Sequence, residues 1–296
     1  MKILPGPASK ELGEKIASLL GVEPTPIFFK AFPDGESYVR IEGIVEGETA
    51  VIVQTTSPPQ DQRLIQLALM VDAAKRNAAR TVVAVVPYLA YARQDKVFLK
   101  GEPISIEAIA RMLKAAGVDS LITVNIHEKN VLAKFPFPAR NLSAIPLLAE
   151  HFKQRDFRNA FALAPDKGAV GIVQEAAKVL GCECECGYLE KRRDRHTGLV
   201  SVEKREFNVK GRTAIIFDDI ISTGGTIVAA ATLLYELGAA EVYAACVHPL
   251  LVGEAEKRLR EAGVKEVVGT DSVPSHVSKV SLAPLIAQTL RELQSG

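Results

Sequence analysis

Short β-branched runs alternate with amphipathic stretches along the whole chain, and this alternation restricts the fold more than any other feature. Residues 9–20 carry helical spacing and stop at Gly21, 49–56 is a β-branched run, and 61–77 is helical again. Residues 81–88 read as a buried strand, 104–116 as a helix closed by Gly117, and 121–127 as a further strand. The second half keeps the rhythm: strands at 160–164, 213–217, 242–247 and 266–270, helices at 169–180, 226–237 and 253–262. Such βαβ winding predicts an α/β protein with mostly parallel sheets flanked by helices. A chain of 296 residues holds about two domains of ordinary size. A faint echo between 78–84 and 239–245 fits two similar halves, 1–142 and 143–280. The Phe135-Pro136-Phe137-Pro138 run marks the boundary near 136–143, and an amphipathic helix at 281–293 is expected to pack the end of the chain, 281–296, back on the first half.

Composition removes several classes of function. Hydrophobic residues at 48% and charged residues at 24% are ordinary globular usage, so disorder, collagen-like repeats and a disulfide-stapled miniprotein are excluded. A net charge of +1 gives no bulk attraction to nucleic acid or an anionic membrane. The most apolar stretch, 82–92, is broken by Pro87 and is too short to span a bilayer. Glu11 and Glu14 follow soon after the first residues, without the apolar run of a secretory signal, and a cytoplasmic protein is expected. Cys182, Cys184 and Cys186 stand at alternate positions, which on a strand are roughly 6.6 Å apart and roughly 13 Å end to end, too far for one tetrahedral ion. They read as reduced thiols on one face of a strand, with Glu183 and Glu185 on the other.

Chemistry concentrates in Ile215-Ile216-Phe217-Asp218-Asp219-Ile220-Ile221-Ser222-Thr223-Gly224-Gly225-Thr226, which reads as an apolar strand, two acids, a hydroxyl and glycine loop, then a helix. At the carboxyl edge of a parallel strand, loop N–H groups and a helix N-terminus bind an anion, and glycines admit a phosphate closely. Asp218 and Asp219 would repel that phosphate, so they suit another part of the ligand, for which vicinal sugar hydroxyls fit. Phosphate at one end and diol at the other describes a ribose phosphate. The plain alternative is a strand-to-helix turn with an ordinary Ser or Thr cap. Neither a Walker nor a Rossmann glycine pattern occurs in the chain.

This segment resembles the phosphoribosyl-pyrophosphate loop of type I phosphoribosyltransferases and ribose-phosphate pyrophosphokinases. Five further segments, in order, resemble the pyrophosphokinases: Phe32-Pro33-Asp34-Gly35-Glu36, then Pro87-Tyr88-Leu89-Ala90-Tyr91-Ala92-Arg93-Gln94-Asp95-Lys96, Gly101-Glu102-Pro103-Ile104-Ser105, Pro165-Asp166-Lys167-Gly168 and Lys191-Arg192-Arg193. The likeness runs from about the first strand to the last helix. It implies two domains of type I phosphoribosyltransferase-like fold, and transfer of the ATP diphosphoryl group to the 1-hydroxyl of ribose 5-phosphate, with Mg²⁺.

The same likeness implies roles for single residues. Lys191 and Arg193 become the catalytic cations, in a charge-dense stretch, 190–196, that is expected to close over the phosphates. Phe32, Asp34, Gly35 and Glu36 fall in the adenine-recognising loop, contributed in the family by a neighbouring subunit, which implies a homo-oligomer at least dimeric. Arg93, Gln94, Asp95 and Lys96 fall on the nucleotide, where Arg93 suits a phosphate and Gln94 an adenine edge. His127 is implied to contact ATP and metal, and Asp166 to engage metal, the carboxylate being the better Mg²⁺ ligand. Asp218, Asp219, Ser222, Thr223, Gly224, Gly225 and Thr226 are implied to hold ribose 5-phosphate. Three departures accompany the likeness: Ser222 and Asn125 stand where an acid is common, and His127-Glu128-Lys129-Asn130 differs from the bacterial continuation. Two rival readings are a phosphoribosyltransferase that consumes phosphoribosyl pyrophosphate and a regulatory homologue without catalysis.

Overall fold

A computed structural model describes residues 1–157, 159–181, 186–189, 191–193, 200–202 and 207–295, with backbone alone for 191–193, 200–202 and 295. Cys182 to Glu185 of the cysteine strand, and 190 and 194–196 of the basic stretch, lie outside the described residues. The chain divides into two compact units: Met1–Ser143 with Asp271–Pro274 and Ser281–Gly296, and Ala144–Thr270 with Ser275–Val280.

Unit 1 begins with β1 (Lys2–Pro5), α1 (Lys10–Leu20), β2 (Ile27–Ala31), β3 (Ser37–Ile41), β4 (Thr49–Val53) and α2 (Gln60–Arg76), followed by β5 (Thr81–Val86), α3 (Ser105–Ala116), β6 (Ser120–Val124) and β7 (Ala139–Leu142). Its main sheet is parallel, in the order β1-β4-β5-β6-β7. The central runs are aliphatic and nearly all buried, as strands covered on both faces must be. Part of the stretch read from sequence as a boundary is β7, the edge strand of this sheet.

The antiparallel pair β2 and β3 was not evident from sequence, because its strands are half exposed and carry charge. Ile27 and Phe29 lie opposite Ile41 and Val39, and all four pack on the unit's core. On the outer face the Arg40 guanidinium lies 5.2 Å from the Phe28 ring and Lys30 Nζ lies 5.1 Å from the Tyr38 ring, geometry suited to cation–π attraction. A buried amide chain anchors the pair: Gln54 Nε2 donates to Gln66 Oε1 at 3.3 Å, and Gln66 Nε2 donates to Ser37 Oγ at 3.3 Å.

Unit 2 runs α4 (Ile145–Lys153), β8 (Phe161–Ala164), α5 (Val170–Leu180), β9 (Cys186–Tyr188), β10 (Lys191–Arg193), β11 (Val200–Val202) and β12 (Thr213–Ile221). It continues with α6 (Gly225–Glu236), β13 (Glu241–Pro249), α7 (Ala255–Glu261), β14 (Val264–Thr270) and β15 (Ser278–Val280). The main sheet has the order β15-β14-β13-β12-β8-β9, all parallel. β10 and β11 form a separate antiparallel pair. Unit 1 adds strands in sequence order, whereas unit 2 reverses direction between β8 and β12.

The last helix, α8 (Ala283–Ser295), belongs to unit 1 and packs beside α1, where Arg291 Nη2 donates to the Leu19 carbonyl. No described helix is long and apolar enough to cross a membrane. Ile286 and Leu290 of α8 are fully buried. Ile286→Ala should therefore destabilise unit 1 by about 2–5 kcal/mol in denaturant unfolding. A loss below about 1 kcal/mol would show that α8 adds little to the core.

Candidate functional site

The strand reversal in unit 2 fixes where a ligand can enter. The connection from β8 leads through α5 to β9 on one side, while β12 to β15 extend the sheet on the other. In open parallel sheets the crevice left by diverging connections, at the carboxyl ends of the strands, is the natural binding position. Pro165-Asp166-Lys167-Gly168 leaves β8 at that edge, and Asp218 to Thr226 stands at the end of β12. Ala214, Ile215 and Ile216 pair with Phe161, Ala162 and Leu163, which aligns the two chain exits.

Sequence spacing ended this strand at Phe217, but β12 continues to Ile221, so both acids lie within it. The extension follows from β13, which reaches Pro249 and pairs with Asp218, Ile220 and Ile221. Asp219 N donates to Asp218 Oδ1 at 2.9 Å. Burial, and then the neighbouring Asp219 and Asp166 carboxylates, push the Asp218 carboxyl well above the usual carboxylate range. Three acids therefore share one sheet edge. Asp166 is half-buried, and its Oδ1 accepts from Gly168 N at 2.9 Å and Ala169 N at 3.3 Å, which fixes the carboxylate over a short helical turn.

The loop after β12 is held by its carbonyls. Leu251 N donates to the Ile221 carbonyl at 3.0 Å, Val252 N to that of Ser222 at 3.1 Å, and Arg258 Nη2 to that of Thr223 at 2.6 Å. Gly224 is the N-cap of α6 with φ +77°, a left-handed conformation that favours glycine, and a Cβ there would come within 3.3 Å of Leu259 Cγ. Added atoms at Gly225 would meet open space. Ser222, Thr223, Gly224, Gly225 and Thr226 thus carry the chain into the N-terminus of a twelve-residue helix, whose positive dipole end attracts anions.

In unit 1 the other candidate residues lie at two places. Arg93, Gln94, Asp95 and Lys96 follow β5, and His127 follows β6, the adjacent parallel strand. Each exit contains a non-glycine residue with positive φ, Tyr91 at +68° and Asn125 at +39°, backbone conformations that persist where surrounding structure enforces them. Asn125 is the departure noted above, and asparagine, like aspartate, tolerates that conformation. Ser105 Oγ lies 2.5 Å from Gln94 Oε1, and Lys134 Nζ donates to the Asp95 carbonyl at 2.5 Å. Arg93 and His127 are exposed. Glu128 accepts from Asn130 N at 3.1 Å and so starts the helical turn Lys129–Lys134, which accounts for the sequence after His127.

Phe32, Asp34, Gly35 and Glu36 form the exposed loop joining β2 to β3. Phe32 N donates to the Glu36 carbonyl at 2.8 Å, Gly35 N to the Phe32 carbonyl at 2.9 Å, and Gly35 takes φ +95°. Asp34 is exposed, and its Oδ1 accepts from Glu36 N at 3.2 Å. The described part of Lys191–Arg193 is the backbone of β10, paired with β11. Sequence reasoning did not single out Arg258, Leu251 or Tyr91; charge on α7 looks like any solvated face, and positive φ at Leu or Tyr leaves no mark in composition.

Among the described residues no group of three or more His, Cys, Asp or Glu side chains forms a metal cage. Mg²⁺ keeps several waters and takes one or two carboxylates together with substrate phosphates, so the half-buried Asp166 beside an excess of negative charge fits its needs.

Comparison with known proteins gives a consistent result. A family described as the N-terminal domain of ribose phosphate pyrophosphokinase matches residues 1–117, and the phosphoribosyl transferase domain family matches 136–283. The ribose-phosphate pyrophosphokinase of Methanothermobacter thermautotrophicus is 43% identical over 96% of this chain and 98% of its own length. That of Saccharolobus solfataricus is 41% identical over 92% of this chain and 93% of its own length. The crystal structure of phosphoribosylpyrophosphate synthetase from Mycobacterium smegmatis superposes with a TM-score of 0.89 at 33% identity, covering 100% of this chain and 99% of that one.

The raised Asp218 carboxyl carries a sign for stability. Below the ordinary carboxylate range both folded and unfolded chains hold the proton, so the group is neutral to stability. As pH rises through that range the unfolded chain releases its proton and the folded chain resists, so folding is penalised at neutral pH. Asp218→Asn should raise the melting temperature of the ligand-free protein at pH 7, and the gain should vanish near pH 3. Equal melting temperatures at pH 7 would show that the carboxylates are not in conflict.

Proposed function

This chain belongs to the ribose-phosphate pyrophosphokinase family and is an enzyme of that class, and on that premise we propose that it transfers the diphosphoryl group of Mg-ATP to the 1-hydroxyl of ribose 5-phosphate, giving 5-phosphoribosyl 1-pyrophosphate and AMP. The observation that carries this reading is the β12–α6 loop. It offers N–H groups to a phosphate while Asp218 and Asp219, one step back on the strand, can accept from sugar hydroxyls. Sugar hydroxyls or a cation would relieve the conflict that holds the Asp218 carboxyl up.

The sugar oxygen forms a bond to the β-phosphorus, the bond from that phosphorus to the bridging α-β oxygen breaks with its electron pair leaving on AMP, and the hydroxyl proton passes to solvent. Little covalent work falls to the protein, so positioning and charge neutralisation dominate. Lys191 and Arg193 meet the charge on the diphosphoryl group. Arg93, Gln94, Asp95, Lys96 and His127 bind the nucleotide, and Asp166 would hold Mg²⁺, which would supply charge neutralisation at the phosphates. Phe32, Asp34, Gly35 and Glu36 contact adenine on a neighbouring subunit. Support for that assignment is the exposure of the hairpin, whose Phe28 and Phe32 are 40% and 37% exposed while the ring of each meets Tyr38 in a T-shaped contact. ATP and a sugar phosphate are cytoplasmic metabolites, which is where the proposal puts the protein. A phosphoribosyltransferase is disfavoured because relatives named pyrophosphokinases match over nearly the whole chain, residues 1–117 included.

Incubation with Mg²⁺, ATP and ribose 5-phosphate should yield AMP in equal amount to phosphoribosyl pyrophosphate; ADP as the product would overturn the diphosphoryl assignment. Lys191→Ala should lower turnover by about 10²–10³ or more, about 2.7–4 kcal/mol, with a smaller effect on substrate binding. Arg193→Lys should lose less, because it keeps the charge but not the planar fork. Near-parental turnover in both would make these residues docking groups. Mixing inactive Asp34→Ala with inactive Lys191→Ala subunits should restore partial activity, and no recovery despite proven subunit exchange would argue for a site built from one chain.

A further inference from the structure

Arg258 lies on α7, between the exposed Lys257 and the buried Leu259, and is itself exposed. Its Nη2 donates to the Thr223 carbonyl at 2.6 Å, across 35 positions of sequence. This is the third of three consecutive ties. The Ile221 and Ser222 carbonyls accept from Leu251 N and Val252 N, in the segment that follows β13. Leu251 takes φ +44°, an unfavourable conformation for a branched side chain, while its N–H is bound to the loop. The segment from β13 to α7 therefore serves as a bracket for residues 221–223.

In a planar trans peptide the C=O and the following N–H point in opposite directions. Carbonyls drawn toward the bracket leave the N–H groups of Ser222, Thr223 and Gly224 aimed away from it. For Gly224, the N-cap of α6, that orientation rests on the Arg258 side chain, whereas the other two rest on backbone donors that substitution does not remove. Donors fixed before the ligand arrives need no reorganisation to bind it.

We propose that Arg258 is a positioning residue for ribose 5-phosphate: by holding the Thr223 carbonyl it presets the Gly224 N–H toward the 5-phosphate. This deepens the function proposed above and rests on it. A charged donor to a neutral carbonyl is worth enough that Arg258→Ala should weaken ribose 5-phosphate binding, by calorimetry and as KM, at least about tenfold. The KM for ATP and the melting temperature should stay near parental values, since an exposed side chain supports little core. Arg258→Lys should recover part of the affinity.

Salt separates positioning from mere charge. A preset loop loses the same factor in affinity at low and high ionic strength, whereas long-range attraction between Arg258 and the phosphate fades as salt rises. A defect that disappears at high salt, or equal ribose 5-phosphate affinity in parent and Arg258→Ala, would overturn the inference. Amide hydrogen exchange over 221–228 gives a readout independent of any substrate. It should quicken in Arg258→Ala and recover in Arg258→Lys, and unchanged exchange would also overturn the inference. If the parent protein binds no ribose 5-phosphate yet exchange quickens in the variant, the functional reading falls and the tie between Arg258 and the loop stands.

Discussion

At the edge of unit 2 where β8 and β12 part, burial opposes ionisation of Asp218, and after it so do the neighbouring Asp219 and Asp166 charges. An ionised carboxylate held there opposes folding, and the surrounding sheet shows how it is tolerated. β12 is buried through Phe217 and paired on both sides, so a well-packed strand carries the acids to the edge and holds them there. The arrangement makes chemical sense only with a ligand that offers hydroxyl donors or positive charge. The phosphate loop follows from the same strand, because β12 delivers the chain into α6 with the helix N-terminus beside the carboxylates. On the proposed function, one strand supplies recognition of both ends of a ribose phosphate.

The two units reach their binding surfaces by different means. In unit 2 the crevice is a product of topology, and the loop that fills it is short and bracketed by main-chain bonds. In unit 1 the strands follow in sequence order. The nucleotide candidates sit instead on the longer excursions 87–104 and 125–138 and on a hairpin outside the main sheet. These excursions contain the positive φ values of Tyr91 and Asn125 and the exposed side chains of Val97, Phe98 and Leu99.

Much of this was legible before any coordinates. Aliphatic strands alternating with helices that end in glycine at positions 21, 117 and 181 gave the α/β class, because burial on both faces and left-handed helix stops leave a local imprint. The pairing of acids with a glycine loop at 218–226 was equally plain. The hairpin at 27–41 was missed because its outer face carries Lys30, Tyr38 and Arg40, which blur the alternation. The end of β12 was set four residues short because the acids resemble a loop; only the partner strand β13 shows that pairing continues. Arg258 was invisible for a deeper reason: its contact spans two elements, and nothing local distinguishes it from Lys257 or Arg260.

The sequential order of unit 1's sheet has a consequence for redesign. Its nucleotide candidates hang from loops whose removal leaves the hydrogen-bond ladder of β1, β4, β5, β6 and β7 intact. Leu89 and Ala92 are buried in the core, so grafting a different 93–104 segment onto the Ala92 and Ser105 anchors would exchange the proposed recognition surface for the diphosphoryl donor while leaving the ladder uncut. The proposed acceptor side allows no such transplant, since Asp218 and Asp219 lie within the paired strand itself. On the proposed reaction, a chain of this kind can diversify in what it takes the diphosphate from far more readily than in what it gives it to.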